Sequence, residues 1–155
     1  MKLTFILLTL VSFPALAACP NLAGVYKVCH SSTNVNAKSE VTVEQKIVNK
    51  YYQFSITTRD VESANTNANE RVEKYTADGK TKVVSDTDAD TGITIRTETL
   101  TTCKDNVLNI RMNATLESEA FANITIRATK DDNQMTQVFS GVSMGEPVND
   151  TIVCE

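Results

Sequence analysis

Apolar and polar residues alternate one by one along most of this chain. Between Val107 and Leu116, the residues Leu108, Ile110, Met112, Ala114 and Leu116 fall on one side, and Asn109, Arg111, Asn113 and Thr115 on the other. Ala122, Ile124, Ile126 and Ala128 alternate in the same way with Asn123, Thr125 and Arg127. So do Val41, Val43, Gln45 and Ile47 with Thr42, Glu44 and Lys46, and Ile93 and Ile95 with Thr94 and Arg96. A period of two marks a strand with one buried and one wet face. No stretch repeats its apolar residues at the helical spacing. The pattern predicts nine or ten strands, near residues 22–30, 39–48, 51–59, 70–76, 81–86, 92–103, 107–116, 121–129, 135–141 and 147–154.

Short polar clusters separate these runs. Lys104-Asp105-Asn106, Glu117-Ser118-Glu119 and Asp131-Asp132-Asn133 supply side chains that tolerate left-handed backbone. Asp78-Gly79 suits a type I′ hairpin, in which both central residues need positive φ. Connections this short force antiparallel neighbours, because a parallel crossover takes a dozen or more residues. A meander with one apolar face hides that face and its edges by closing on itself or by folding into two sheets. The expected fold is therefore all-β, an antiparallel up-and-down meander forming a closed or nearly closed barrel, with a β-sandwich as the alternative. The longest irregular stretches, residues 31–37 and 65–69, are too short for domain linkers, so one domain is expected over 18–155.

The start of the chain reads differently. Lys2 precedes an apolar run over residues 3–13, followed by Pro14 and the small-x-small end Ala15-Leu16-Ala17. A bilayer-spanning helix needs roughly 20 apolar residues, which this run does not supply. Its layout is that of a cleavable secretory signal over residues 1–17. Export changes the meaning of Cys19, Cys29, Cys103 and Cys154. In an oxidising compartment an even cysteine count reads as disulfides. There is no Cys-x-x-Cys, and His30 is the one histidine, so a zinc site lacks both spacing and partners. Of the three possible pairings, Cys19–Cys29 with Cys103–Cys154 is the expected one: the first staples the N-terminal tail to the first strand and the second ties the last strand to a mid-chain hairpin. Leu16-Ala17-Ala18-Cys19 also fits a lipobox, which would acylate Cys19 and anchor the protein to a membrane as a lipoprotein, leaving an odd cysteine.

The net charge of −4 becomes more negative once Lys2 is removed. With no basic run the chain carries no electrostatic footprint for nucleic acid or an anionic membrane surface.

Three local patterns touch on chemistry. Gly141-Val142-Ser143-Met144-Gly145 has the letters of a nucleophile elbow, which joins a strand to a helix. Here a further strand-like run follows, His30 lies far upstream and no oxyanion loop is evident, so a glycine-flanked turn is the expected form and no catalytic residue is assigned. Asp86, Asp88 and Asp90 alternate ahead of Gly92 and resemble the start of a calcium loop, where such spacing turns carboxylates onto one hard cation. The glycine comes one residue late and Glu98 misses the bidentate position, so an acidic hairpin tip competes with a calcium site there. Tyr51-Tyr52-Gln53-Phe54 places Tyr52 and Phe54 on one face, as core or as a ligand-contact surface. The sequons at Asn113, Asn123 and Asn149 are read as chance in a Thr/Asn-rich strand protein, the first two falling in mid-strand.

The segment Cys19-Pro20-Asn21-Leu22-Ala23-Gly24-Val25-Tyr26 resembles the first strand of calycin-type barrels. Lipocalins open with Gly-x-Trp, and Gly24-Val25-Tyr26 is similar, with tyrosine in the aromatic place. The strand meander and the late Cys154 add to the likeness, whereas the later lipocalin motifs and a C-terminal helix are not recognisable. The resemblance implies a barrel with a cup for a small apolar ligand and Tyr26 at its floor. The expectation is a non-enzymatic, periplasmic or secreted β-barrel without cofactor that binds a small apolar or lipidic ligand. The alternative is a structural or protein-interaction domain of the envelope.

Overall fold

The computed structural model describes residues 19–34, 38–61, 70–117 and 119–155. The signal over 1–17, part of the 31–37 stretch and all of 65–69 lie outside the described residues. Ten strands follow in order: β1 (Gly24–Ser31), β2 (Lys38–Val48), β3 (Tyr51–Asp60), β4 (Glu70–Thr76), β5 (Thr81–Thr87), β6 (Thr94–Lys104), β7 (Val107–Leu116), β8 (Glu119–Asp131), β9 (Gln134–Ser143) and β10 (Glu146–Cys154). All pair antiparallel in one sheet of order β4-β3-β2-β1-β10-β9-β8-β7-β6-β5. Each neighbour is also the neighbour in sequence except β1 and β10, which join the two ends of the chain. The sheet curls into a half-barrel that stays open between β4 and β5. No helix occurs among the described residues, and so none there is long and apolar enough to cross a membrane.

Two-residue turns set most of the registers. Asn49 and Lys50 between β2 and β3, Asp105 and Asn106 between β6 and β7, and Met144 and Gly145 between β9 and β10 all have positive φ. Paired positive φ values give the twist that matches right-handed strands. Asp78-Gly79 departs from its expected role. Gly79 has positive φ, but Asp78 does not, and no ladder forms between β4 and β5. The turn serves its flanks instead: Ala77 N–H donates to Tyr52 O (2.8 Å) and Gly79 N–H to Thr101 O (3.2 Å). Fixing both ends of the turn to other strands sends β4 and β5 apart.

The concave face carries the core. Val41 and Val43 of β2, Phe54 and Ile56 of β3, Tyr75 of β4, Leu108 and Ile110 of β7, Ile126 and Ala128 of β8 and Met135 of β9 are all buried there. The convex face carries Lys46, Arg111, Asn123 and Arg127, all exposed. A strict period of two would put Tyr26 and Cys29 of β1 on opposite faces, yet both are buried. The β1–β2 register shifts by one residue between them, and Lys27 and Val28 N–H both face Glu155 O. That bulge inserts one residue and returns Cys29 to the inside.

The narrow end is closed by residues 19–26. Pro20 and Leu22 are fully buried, and Leu22 N–H donates to Gln45 Oε1 at 2.9 Å. Tyr26, 2% exposed, donates its hydroxyl to Leu22 O at 2.8 Å. Lys130 lies over the Tyr26 ring at 5.7 Å and donates to Ala23 O at 3.1 Å. Tyr26 thus forms part of the floor. Tyr26→Phe keeps the ring but strands a buried carbonyl, and a loss of about 1–2 kcal/mol in urea unfolding is the expected outcome.

The cysteine pairing differs from the sequence expectation. The bonds are Cys19–Cys103 and Cys29–Cys154, with Cα–Cα distances of 5.0 and 4.0 Å, not Cys19–Cys29 and Cys103–Cys154. Cys29 and Cys154 are register partners across β1 and β10, the one ladder that joins the chain ends. Cys103, at the end of β6, reaches the floor where Cys19 enters.

Candidate functional site

Above the packed floor the concave face stays unfilled. A cavity of about 350 Å³ lies between the β2–β4 and β7–β10 walls. Its deeper lining is apolar, from Val41, Ile56, Ile110, Ile126, Phe139 and Ile152. Its rim is polar, from Ser39, Thr58, Asp60, Arg71 and Glu73. Strand parity explains the layout. Tyr75, Glu73 and Arg71 occupy successive inward positions of β4, opposite Phe54, Ile56 and Thr58 of β3. The wall therefore grades from apolar at the floor to charged at the mouth.

Glu73 joins the rim together. It accepts from the Tyr75 hydroxyl at 2.9 Å and pairs with Arg71 at 2.6 Å. Burial, then the neighbouring Glu73 charge and the hydrogen bond to it, pushes the Tyr75 phenol well above its ordinary value, so Tyr75 is a neutral donor at any physiological pH. The Arg71 side chain is 79% exposed, so the ion pair itself adds little stability. What the rim provides is a fixed set of polar groups beside an apolar wall.

On β10, Asp150 takes hydrogen bonds from the Ser31 and Ser32 hydroxyls at 2.8 Å each and from Thr33 N–H at 3.2 Å. Burial pushes its carboxyl up, but these bonds and one from the Thr151 amide outweigh that and hold it below its ordinary value. Asp150 therefore acts as an anchor for the chain leaving β1.

The residues singled out in the sequence lie elsewhere. Asp86 is the penultimate residue of β5, and Asp88 and Asp90 sit in the hairpin beyond it, all exposed. Asp88 caps that turn, accepting from Thr91 N–H (2.8 Å), Thr91 Oγ1 (2.8 Å) and Asp90 N–H (3.1 Å). The Thr91 amide and hydroxyl hold its carboxyl below the ordinary value. No group of three or more histidine, cysteine or acidic side chains able to hold a metal ion occurs among the described residues. Ser143 lies in β9 opposite Glu146, across the Met144-Gly145 turn, and the strand β10 follows where a nucleophile elbow has a helix. His30 is exposed beside Val153. Phe54 is fully buried, Tyr52 stacks on it at 6.5 Å between centroids, and Tyr51 faces solvent.

The rim of Asp60, Arg71 and Glu73 was not singled out in the sequence. Its signal was available: the three share the inward parity of Phe54 and Tyr75, where charged residues are out of place in a filled core. No protein-family model matches this chain, and no curated protein matches it.

Proposed function

We infer that this is an exported, non-enzymatic, lipocalin-like binding protein of the cell envelope, which takes a small apolar or lipidic ligand into the cleft of its half-barrel. The observation that carries this reading is the cavity itself. Its volume lies in the range of small-molecule sites, which combine apolar walls with a few placed polar groups. The graded wall suits an amphiphile, with its apolar part against Ile110, Ile126 and Phe139 and its polar end among Thr58, Asp60, Arg71 and Glu73. The two disulfides are consistent with an oxidising extracellular or periplasmic location. A soluble form is favoured over a lipoprotein, because a thioether-linked lipid would need the Cys19 sulfur that is bonded to Cys103.

Titration with N-phenyl-1-naphthylamine, a neutral apolar fluorophore that brightens out of water, tests the reading. Saturable enhancement is expected. Thr58→Phe places a ring in the cavity mouth without disturbing the floor, and it should weaken dye binding at least about tenfold while urea unfolding stays near wild type. Equal dye binding by this variant, or no saturable binding at all, rejects the cleft as the site.

A further inference from the structure

The open seam leaves β5 as an edge strand with no strand paired on its outer side among the described residues. Its seven residues are all exposed, and Lys82 Nζ donates across the seam to Thr76 Oγ1 of β4 at 3.1 Å, a neutral bond that an ion pair can replace. Edge strands template pairing with other chains unless something blocks them. The order of residues along this edge suits one particular partner. Thr81, Lys82, Val83, Val84, Ser85, Asp86 and Thr87 read as a self-complementary strand about Val84. Laid antiparallel against a second copy with the two-fold axis at Val84, each Lys82 faces the other copy's Asp86. Val83 then faces Ser85, Thr81 faces Thr87, and Val84 meets Val84. A residue guarding an edge against pairing would meet its like; here the two charges are placed so that self-pairing satisfies both.

The backbone agrees with this register. Asp88 N–H donates to Ile93 O at 2.9 Å, and the next pair, Thr87 and Thr94, has its hydroxyls 2.9 Å apart. Pairs alternate between hydrogen-bonded and non-bonded along an antiparallel ladder. Asp86, Val84 and Lys82 therefore turn their backbone groups to β6, opposite Ile95, Thr97 and Thr99. Thr81, Val83, Ser85 and Thr87 turn theirs to the free edge. In the two-fold pairing Val83 and Ser85 exchange both backbone bonds, while Val84–Val84 and Lys82–Asp86 are the non-bonded pairs, whose side chains approach most closely. Val84, 63% exposed, is continuous with exposed Ile93 and Ile95 on the same concave surface, and the second copy would cover its edge of that strip. The β4 edge lacks this property: centred on Glu73, it sets Arg71 against Tyr75 and Val72 against Lys74.

We propose that β5 is a homodimerisation strand, joining two copies edge to edge about a two-fold axis at Val84 with reciprocal Lys82–Asp86 pairs. Such an isologous contact uses β5 once in each copy and closes as a dimer.

Sedimentation equilibrium of the protein with both disulfides formed, at low salt, tests it with three charge variants. The wild type should be a dimer. Lys82→Asp alone and Asp86→Lys alone place like charges opposite each other at both symmetry-related pairs, and each should weaken dimerisation about tenfold or more. The double variant restores opposite charges in the same register and should recover the dimer. Circular dichroism of each variant shows whether it is folded; these side chains are exposed, so folding should persist. As a second measure, Val84→Cys should give a reducible dimer band, since non-bonded antiparallel positions lie within disulfide reach. A wild type that stays monomeric, a dimer indifferent to the single reversals, or a double variant that fails to recover would each overturn the proposal.

Discussion

Replacing Cys29 and Cys154 together by alanine should lower the unfolding free energy by about 4–5 kcal/mol, read by urea denaturation without reductant. The bond has a sequence separation of 125, and even with the Cys19–Cys103 bond in place as a shortcut it closes a loop of several tens of residues, which its absence releases in the unfolded chain. Chain entropy alone makes such a long loop worth about that much, growing slowly with length. The native state adds a second reason. β1 and β10 share only the partners Cys29–Cys154, His30–Val153 and Ser31–Ile152, whereas β9 and β10 are in register from Glu146 to Cys154. The covalent bond thus clamps the shortest ladder, the one ladder among the described residues between the β1–β4 half and the β5–β10 half. The Cys19–Cys103 bond closes a loop of separation 84, for which the entropic value is nearly the same. Cys19, however, ends a short segment that can detach locally and leave the sheet paired, so its double alanine variant should lose less. Equal losses would mean that the floor segment and the sheet unfold as one unit.

This contrast also marks where sequence reasoning stops. Strand positions were legible because alternation is local: the runs at 70–76 and 107–116 coincide with β4 and β7, and the two-residue turns between neighbours follow from chemistry that is local too. Pairings that bridge the chain ends leave no such trace. Cys19 and Cys29 are near in sequence, but the β1 bulge turns Cys29 inward, and only the pairing of the first strand with the last brings Cys154 beside it. Asp78-Gly79 failed for the same reason. Its residues favour a tight turn, and a turn does form, but long-range bonds to Tyr52 and Thr101 decide that the flanking strands separate. The rim of the cleft was half legible. Arg71 and Glu73 stand at inward parity, but whether an inward charge meets a packed core or an open mouth depends on where the barrel parts, and that is set by the turn. Asp86, Asp88 and Asp90 looked suggestive as letters; in three dimensions Asp88 spends its carboxylate on Thr91 and Asp90.

Gly141→Ala should cost about 3 kcal/mol or more, a large effect for adding one methyl group. Gly141 lies within β9, opposite Ile124 and Val148, where glycine ordinarily weakens a strand and alanine would be the better choice. Its φ of 146°, however, is one that residues with a Cβ rarely adopt. A Cβ built there would also collide with the Asn123 carbonyl oxygen of β8, a main-chain atom that cannot swing aside. Relief would require β8 and β9 to separate in the middle of their ladder. Gly145→Ala separates the two contributions. Gly145 also has positive φ, at 81°, but nothing lies within 4 Å of its added Cβ, so only the backbone penalty of about 1 kcal/mol remains. If both variants lose the same amount, the β8–β9 contact yields more readily than a ladder should, and backbone conformation alone explains glycine at 141. If Gly141→Ala loses several-fold more, the first glycine of the Gly-Val-Ser-Met-Gly run is there because two strands pass too close for any side chain. On that outcome the pattern that resembles a nucleophile elbow owes its first glycine to sheet packing.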